Sequence, residues 1–166
     1  MRFAKLHLAR FGMFTDQDID LHTEGVNLIV GSNEAGKSTS RAAITQFLFG
    51  IPARSRHDWV HKYADLRIGA TVLDGSGAAL ELYRVKKAAP SLRNAKDDSV
   101  DEDVLRVLLG GVGEDLFKQL FSIGHDEISS GGESLLNNGG EVGVALFGAF
   151  GLGYFVYGKK QKAIVP

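Results

Sequence analysis

Cysteine is absent from this 166-residue chain. That excludes a disulfide framework, a zinc–thiolate site and a cysteine nucleophile. A large net charge is also missing: 19 Lys/Arg against 20 Asp/Glu leave a formal −1. With 44% hydrophobic residues, the composition is too apolar and too neutral for a disordered chain. The opening segment MRFAKLHLARF alternates apolar and charged residues and has no signal-peptide core, so a cytoplasmic protein is the default expectation. No internal repeat and no run of heptads is visible. What is abundant is glycine, at 21 residues, about twice the usual share. The length suits one domain able to bury a core without disulfides or a structural metal.

Charge is unevenly distributed. Residues 52–96 carry nine Lys/Arg and four Asp/Glu, and residues 97–141 carry two and eleven. The basic stretch includes Arg54, Arg56, Lys62, Arg67, Lys86, Lys87, Arg93 and Lys96. It reads either as a solvated face or as a surface that meets the phosphate of a nucleotide or of DNA.

Periodicity gives a coarse outline. Phe3, Leu6 and Leu8 open one strand, and Ile19 and Leu21 lie in a second after a polar break at Thr15–Asp16. Val26–Val30, an apolar run behind Gly25, has the pattern of a buried central strand. From Lys37 the pattern turns helical, with Ile44, Phe47, Leu48 and Ile51 on one face and Gly50 and Pro52 as stops. Residues 68–73 and 78–85 form a hairpin around Asp74–Gly77. Ser99 and Glu102 make a capping box for a helix through Leu109 that Gly110 closes, and a further helix covers Asp115–Phe121. Residues 142–157 hold no charge. Sixteen residues fall short of the roughly 20 that span a bilayer, although Lys159, Lys160 and Lys162 follow. A small membrane-attached nucleotide binder is therefore a minor alternative.

Residues 31–39, GSNEAGKST, satisfy G-x-x-x-x-G-K-[ST]. Gly31 and Gly36 let the backbone turn around a phosphate with its N–H groups inward. Lys37 places a positive charge at the β/γ-phosphates, and Ser38 offers a hydroxyl to Mg²⁺. A helix starting at Lys37 directs its positive dipole end at the same anion. A strand before and a helix after the motif are the context it requires, so the chain reads as a P-loop nucleotide binder with ATP and Mg²⁺ as its cofactors.

The segments LHLARFGMFTDQDIDL and GVNLIVGSNEAGKSTSRAAITQFLFG resemble the N-terminal ATPase segment of the SMC/SbcC/RecF class, most closely its YhaN-type AAA domain. The likeness continues through residues 57–72 and 120–136 and covers residues 1–150. It implies an α/β fold: a P-loop NTPase with an ABC/SMC-like head, of which this is the N-terminal lobe, built as a mixed sheet with a β-hairpin and a P-loop helix. Residues 151–166 then form a divergent tail outside the family domain, as in a truncated or frame-shifted product. The resemblance implies ATP-driven DNA repair or chromosome maintenance as the parent role. The partners implied are a C-terminal ATPase half or head-dimer partner and, through the full assembly, DNA.

Residue by residue, Gly31, Asn33, Gly36, Lys37, Ser38 and Thr39 match the nucleotide-binding loop. His125, beside Asp126 and Glu127, occupies the position where relatives carry a Gln that reaches Mg²⁺ and the attacking water; the alternative is a plain surface loop. Arg54 and Arg56 stand where relatives place a basic residue near phosphate or DNA, whereas His57, His61 and Tyr63 read as packing or surface residues. Hydrolysis in this class needs an apolar strand ending in Asp-Glu. The nearest match, Ala70–Asp74, reads as a turn instead. Ser130–Glu133 resembles the signature loop of the class but precedes no such strand. The chain is thus expected to bind nucleotide weakly and hydrolyse it hardly at all alone, with a non-catalytic nucleotide-binding remnant or interaction module as the alternative.

Overall fold

A computed structural model describes residues 1–122. They form a six-stranded sheet in the order β2-β1-β3-β4-β5-β6 with three helices. The strands are β1 (Arg2–Phe11), β2 (Phe14–Asp20), β3 (Arg67–Leu73), β4 (Ala79–Val85), β5 (Leu92–Asn94) and β6 (Ser99–Val100). The helices are α1 (Lys37–Phe49), α2 (Asp103–Leu108) and α3 (Glu114–Leu120).

Side chains alternate across the sheet as period-two geometry demands. Leu6, Leu8 and Phe11 of β1, Ile68, Ala70 and Val72 of β3 and Leu82 of β4 are buried in one cluster with Ala43, Phe47 and Leu48 of α1. The other face is polar. Lys5 bridges Asp18 at 2.9 Å and Asp20 at 3.4 Å, His7 meets Asp18, and Arg67 lies over the Tyr83 ring at 4.5 Å while pairing with Asp97 at 2.7 Å.

The far end of α1 is fixed from the sheet. Helices leave their last carbonyls without partners, and α1 has no basic residue in its last turn. Arg84 of β4, 2% exposed, takes that role. Its Nε donates to the Phe47 carbonyl at 2.9 Å and its Nη2 to that of Leu48 at 3.3 Å. Lys86 donates to the Ile51 carbonyl at 3.0 Å. The rest of the Arg84 fork meets Ser91 Oγ at 2.8 Å and Glu102. Burial works to raise the Glu102 carboxyl, but the hydrogen bonds from Arg84 and Ser91 outweigh it and hold the group below its ordinary range.

Several expectations are met closely. α1 runs over the expected helix and ends at Gly50, whose φ is +104°. β3 and β4 pair as the expected hairpin, and α3 lies one residue from its expected start.

Others are corrected. The break between β1 and β2 falls at Gly12–Met13, so Thr15 and Asp16 lie inside β2. Val26–Val30 is not a buried strand: it pairs with no strand among the described residues, and Val26 and Leu28 are 93% and 82% exposed. Every strand pairing among the described residues is antiparallel, so the mixed sheet is not seen there. The capping box does not form either. Ser99 is in β6, and the Glu102 carboxylate faces Arg84 and Ser91 in place of a helix N–H. A buried guanidinium is a stronger partner than an exposed backbone amide.

Candidate functional site

The loop from Gly31 to Gly36 leads into α1 and forms one wall of a cavity of about 640 Å³. That volume lies within the roughly 300–1,000 Å³ of small-molecule clefts. Asn33, Glu34, Gly36, Lys37, Ser38 and Thr39 line it, together with Met13 and Trp59. Five of the six residues matched to the nucleotide-binding loop by motif and resemblance thus line one cavity. Gly31 contributes differently: its carbonyl, with that of Ser32, accepts from Lys37 Nζ at 2.7 and 2.6 Å. The lysine ammonium is folded back on its own loop, where an anionic ligand would compete for it with two neutral carbonyls.

The loop needs unusual backbone angles. Gly36, at the head of α1, has φ +86°, a left-handed conformation that glycine adopts without steric cost. Glu34 also has a positive φ, of 65°. Space is equally restrictive at Gly36, where an added Cβ would collide with Phe14 and come within 3.2 Å of Met13 Sδ. The turn between β1 and β2 therefore presses directly on the start of α1. Gly12 repeats the contact one turn along, since a Cβ there would lie 2.6 Å from Thr39 Cγ2.

A second segment, residues 57–61, is tied to the same turn. The Gly12 N–H donates to the His57 carbonyl at 2.8 Å, and the His57 ring stacks on Phe11 with centroids 4.6 Å apart. Burial there pushes the imidazole below its ordinary value, against the opposing pull of Asp58. His61 Nε2 bonds the Phe14 carbonyl at 2.7 Å, and the Tyr63 hydroxyl donates to the Pro52 carbonyl at 3.1 Å. These three half-buried residues serve packing and local hydrogen bonding, where the sequence left packing and surface roles both open.

The remaining candidates fall elsewhere. Arg54 and Arg56 are exposed and do not line the cavity. The basic stretch is dispersed: Arg67 faces Asp97 on the polar sheet face, and Lys86 lies over Tyr63 at 4.8 Å. Asp74 is a turn residue, with Oδ1 accepting from the Ser76 and Ala78 backbone amides at 2.7 and 3.0 Å. The hydrogen bond from the Ser76 hydroxyl, followed by these backbone bonds, holds its carboxyl below the usual range. Among the described residues no group of three or more His, Asp or Glu could hold a metal, and no helix is long and apolar enough to cross a membrane. His125, Ser130–Glu133, the uncharged run 142–157 and the boundary at residue 150 lie outside the described residues.

Met13, Glu34 and Trp59 were not singled out by motif reasoning. Met13 and Trp59 lie 18 or more positions from the loop, and the only signal for them was their inclusion in segments that resemble the family.

The family model described as an AAA domain matches residues 1–162. A curated relative, named "Uncharacterized protein YhaN" from Bacillus subtilis (strain 168), is 29% identical over 125 residues. The alignment covers 74% of this chain and 13% of that protein, so the chain matches a small part of a much longer relative.

Proposed function

The chain belongs to the AAA-domain family, a family of nucleotide-binding ATPases, and on that premise we propose that residues 31–39 bind the phosphates of ATP. The single observation that carries the proposal is the convergence of Asn33, Gly36, Lys37, Ser38 and Thr39 on one cavity at the start of α1. The helix start offers backbone N–H groups and a positive dipole end to the phosphates. Lys37 exchanges its two carbonyl partners for the β/γ-phosphates.

The donors also suit magnesium. Ser38 supplies a neutral oxygen to a hard cation that takes its other ligands from phosphate and water, and the bound ion would neutralise charge building on the phosphates. On this reading Ser38 is the magnesium ligand and His125 remains a candidate for positioning the attacking water.

The domain acts as the N-terminal lobe of an SMC/SbcC-like head, with a C-terminal ATPase half or a head-dimer partner completing it. The exposed apolar run Val26–Val30 supports that reading, as does the small fraction of the relative that the chain covers. The parent role in this reading is ATP-driven DNA repair or chromosome maintenance, in the cytoplasm, with DNA met by the full assembly. A second reading, a nucleotide-binding module without turnover, is favoured by Asp74, whose carboxylate is committed to a turn.

Calorimetric titration of the chain with Mg-ATP tests the phosphate site. Weak binding that falls at least about tenfold in Lys37→Ala is expected; binding indifferent to the substitution contradicts it. Adding a C-terminal half restores turnover under the first reading and leaves it absent under the second.

A further inference from the structure

The cavity at the start of α1 carries more than a phosphate needs. Beside the polar loop residues it is lined by Met13, which lies against Gly36, and by Trp59. Trp59 is the sole tryptophan of the chain and is 64% exposed, although tryptophan is on average a highly buried residue. It is also held in place. Two residues before it, His57 stacks on Phe11 and accepts from Gly12; two residues after it, His61 bonds the Phe14 carbonyl. Both anchors are on the β1–β2 turn that presses on Gly36. One turn thus ties the segment that carries Trp59 to the start of α1, and both line one cavity.

We propose that Trp59, which lines the cavity together with Met13, is the platform for the base of the bound nucleotide. A polyphosphate has no use for an aromatic surface. A flat π-system attached to a polyphosphate does, because a base gains from stacking on an aromatic side chain whatever its hydrogen-bonding pattern, and a thioether adds polarizable contact at the ring edge. The ligand class is therefore a nucleoside polyphosphate, with the base read by stacking and shape. This inference rests on the phosphate-site reading above and adds the other half of the ligand.

The test separates the two halves. The 166-residue chain and its Trp59→Ala, Trp59→Phe and Lys37→Ala variants are titrated by calorimetry with Mg-ATP and, separately, with magnesium tripolyphosphate. Circular dichroism serves as the check on folding. Trp59→Ala is expected to weaken ATP binding by roughly ten- to a hundredfold and to leave tripolyphosphate within about twofold, with Trp59→Phe recovering most of the loss. In the unaltered chain, Trp59 fluorescence should change on adding ATP and stay constant with tripolyphosphate.

Undiminished ATP binding by Trp59→Ala overturns the platform while Lys37→Ala still reports on the phosphate site. Equal loss of both ligands in a folded Trp59→Ala also overturns it, since the indole would then be shaping the loop. Failure of the unaltered chain to bind either ligand at millimolar concentration overturns both readings together.

Discussion

Ile68–Val72 and Val26–Val30 are short apolar runs of the same length, and they reach opposite environments. In the first, Ile68, Ala70 and Val72 are buried between β1 and β4, with both edges of the strand hydrogen-bonded. In the second, Val26 and Leu28 are exposed and no strand among the described residues lies alongside. Local composition does not separate them. A strand is stabilised by neighbours that pair its backbone and cover its side chains; β3 finds them within residues 1–122, and Val26–Val30 does not. The loop that follows Val30 is therefore held from its other end, by α1 and the β1–β2 turn.

Substitutions can exploit this contrast. The largest expected effect is at the anchored end of α1. Arg84→Leu leaves Glu102 to Ser91 alone and strands two helix carbonyls, and should cost about 3–5 kcal/mol, chiefly from the carbonyls left unpaired. Lys37→Ala, at the open end, should change stability by no more than about 1 kcal/mol. Urea denaturation of the two variants compares them directly, and equal losses would erase the distinction between the ends. Next in size, Leu8→Ala in the core should cost about 2–5 kcal/mol, whereas Leu28→Ala should stay within about 0.5 kcal/mol. A large loss at Leu28 would show that the apolar run is packed after all.

The smallest expected effect concerns pH. His57 has a folded-state pKa below the ordinary 6.5, so between those values the unfolded chain binds a proton that the folded chain does not. Its stabilising contribution is complete above pH 6.5 and is lost as pH falls toward the depressed value. Measured by thermal unfolding between pH 7.5 and 5.5, His57→Phe should lose stability less steeply than the unaltered chain. A steeper or equal slope would place the titration elsewhere.

Much of this was readable from the residues in order. The motif GSNEAGKST marked the cavity wall, the 3.6-residue pattern marked α1, and Asp74–Gly77 marked the hairpin, because each signal is local. What escaped depends on distant partners. Val26–Val30 has the composition of a strand but finds no pairing within the described residues. Ser99 and Glu102 have capping-box spacing, but Arg84, 18 positions before Glu102, provides the carboxylate with a stronger bond. Trp59 lines the loop's cavity because His57 and His61 fasten its segment to the β1–β2 turn, and Met13 because that turn lies against Gly36.

The apolar run 26–30 is largely exposed in this chain, and the nucleotide proposed above should order the loop after it through Lys37. Amide hydrogen exchange over residues 26–38 and 68–73, with and without saturating Mg-ATP, tests it most directly. Predicted are fast exchange at residues 26–30 beside strong protection at 68–73, and new protection at 32–38 on adding Mg-ATP that Lys37→Ala abolishes. Protection of residues 26–30 equal to that of 68–73, or a loop whose exchange ignores Mg-ATP, would contradict it.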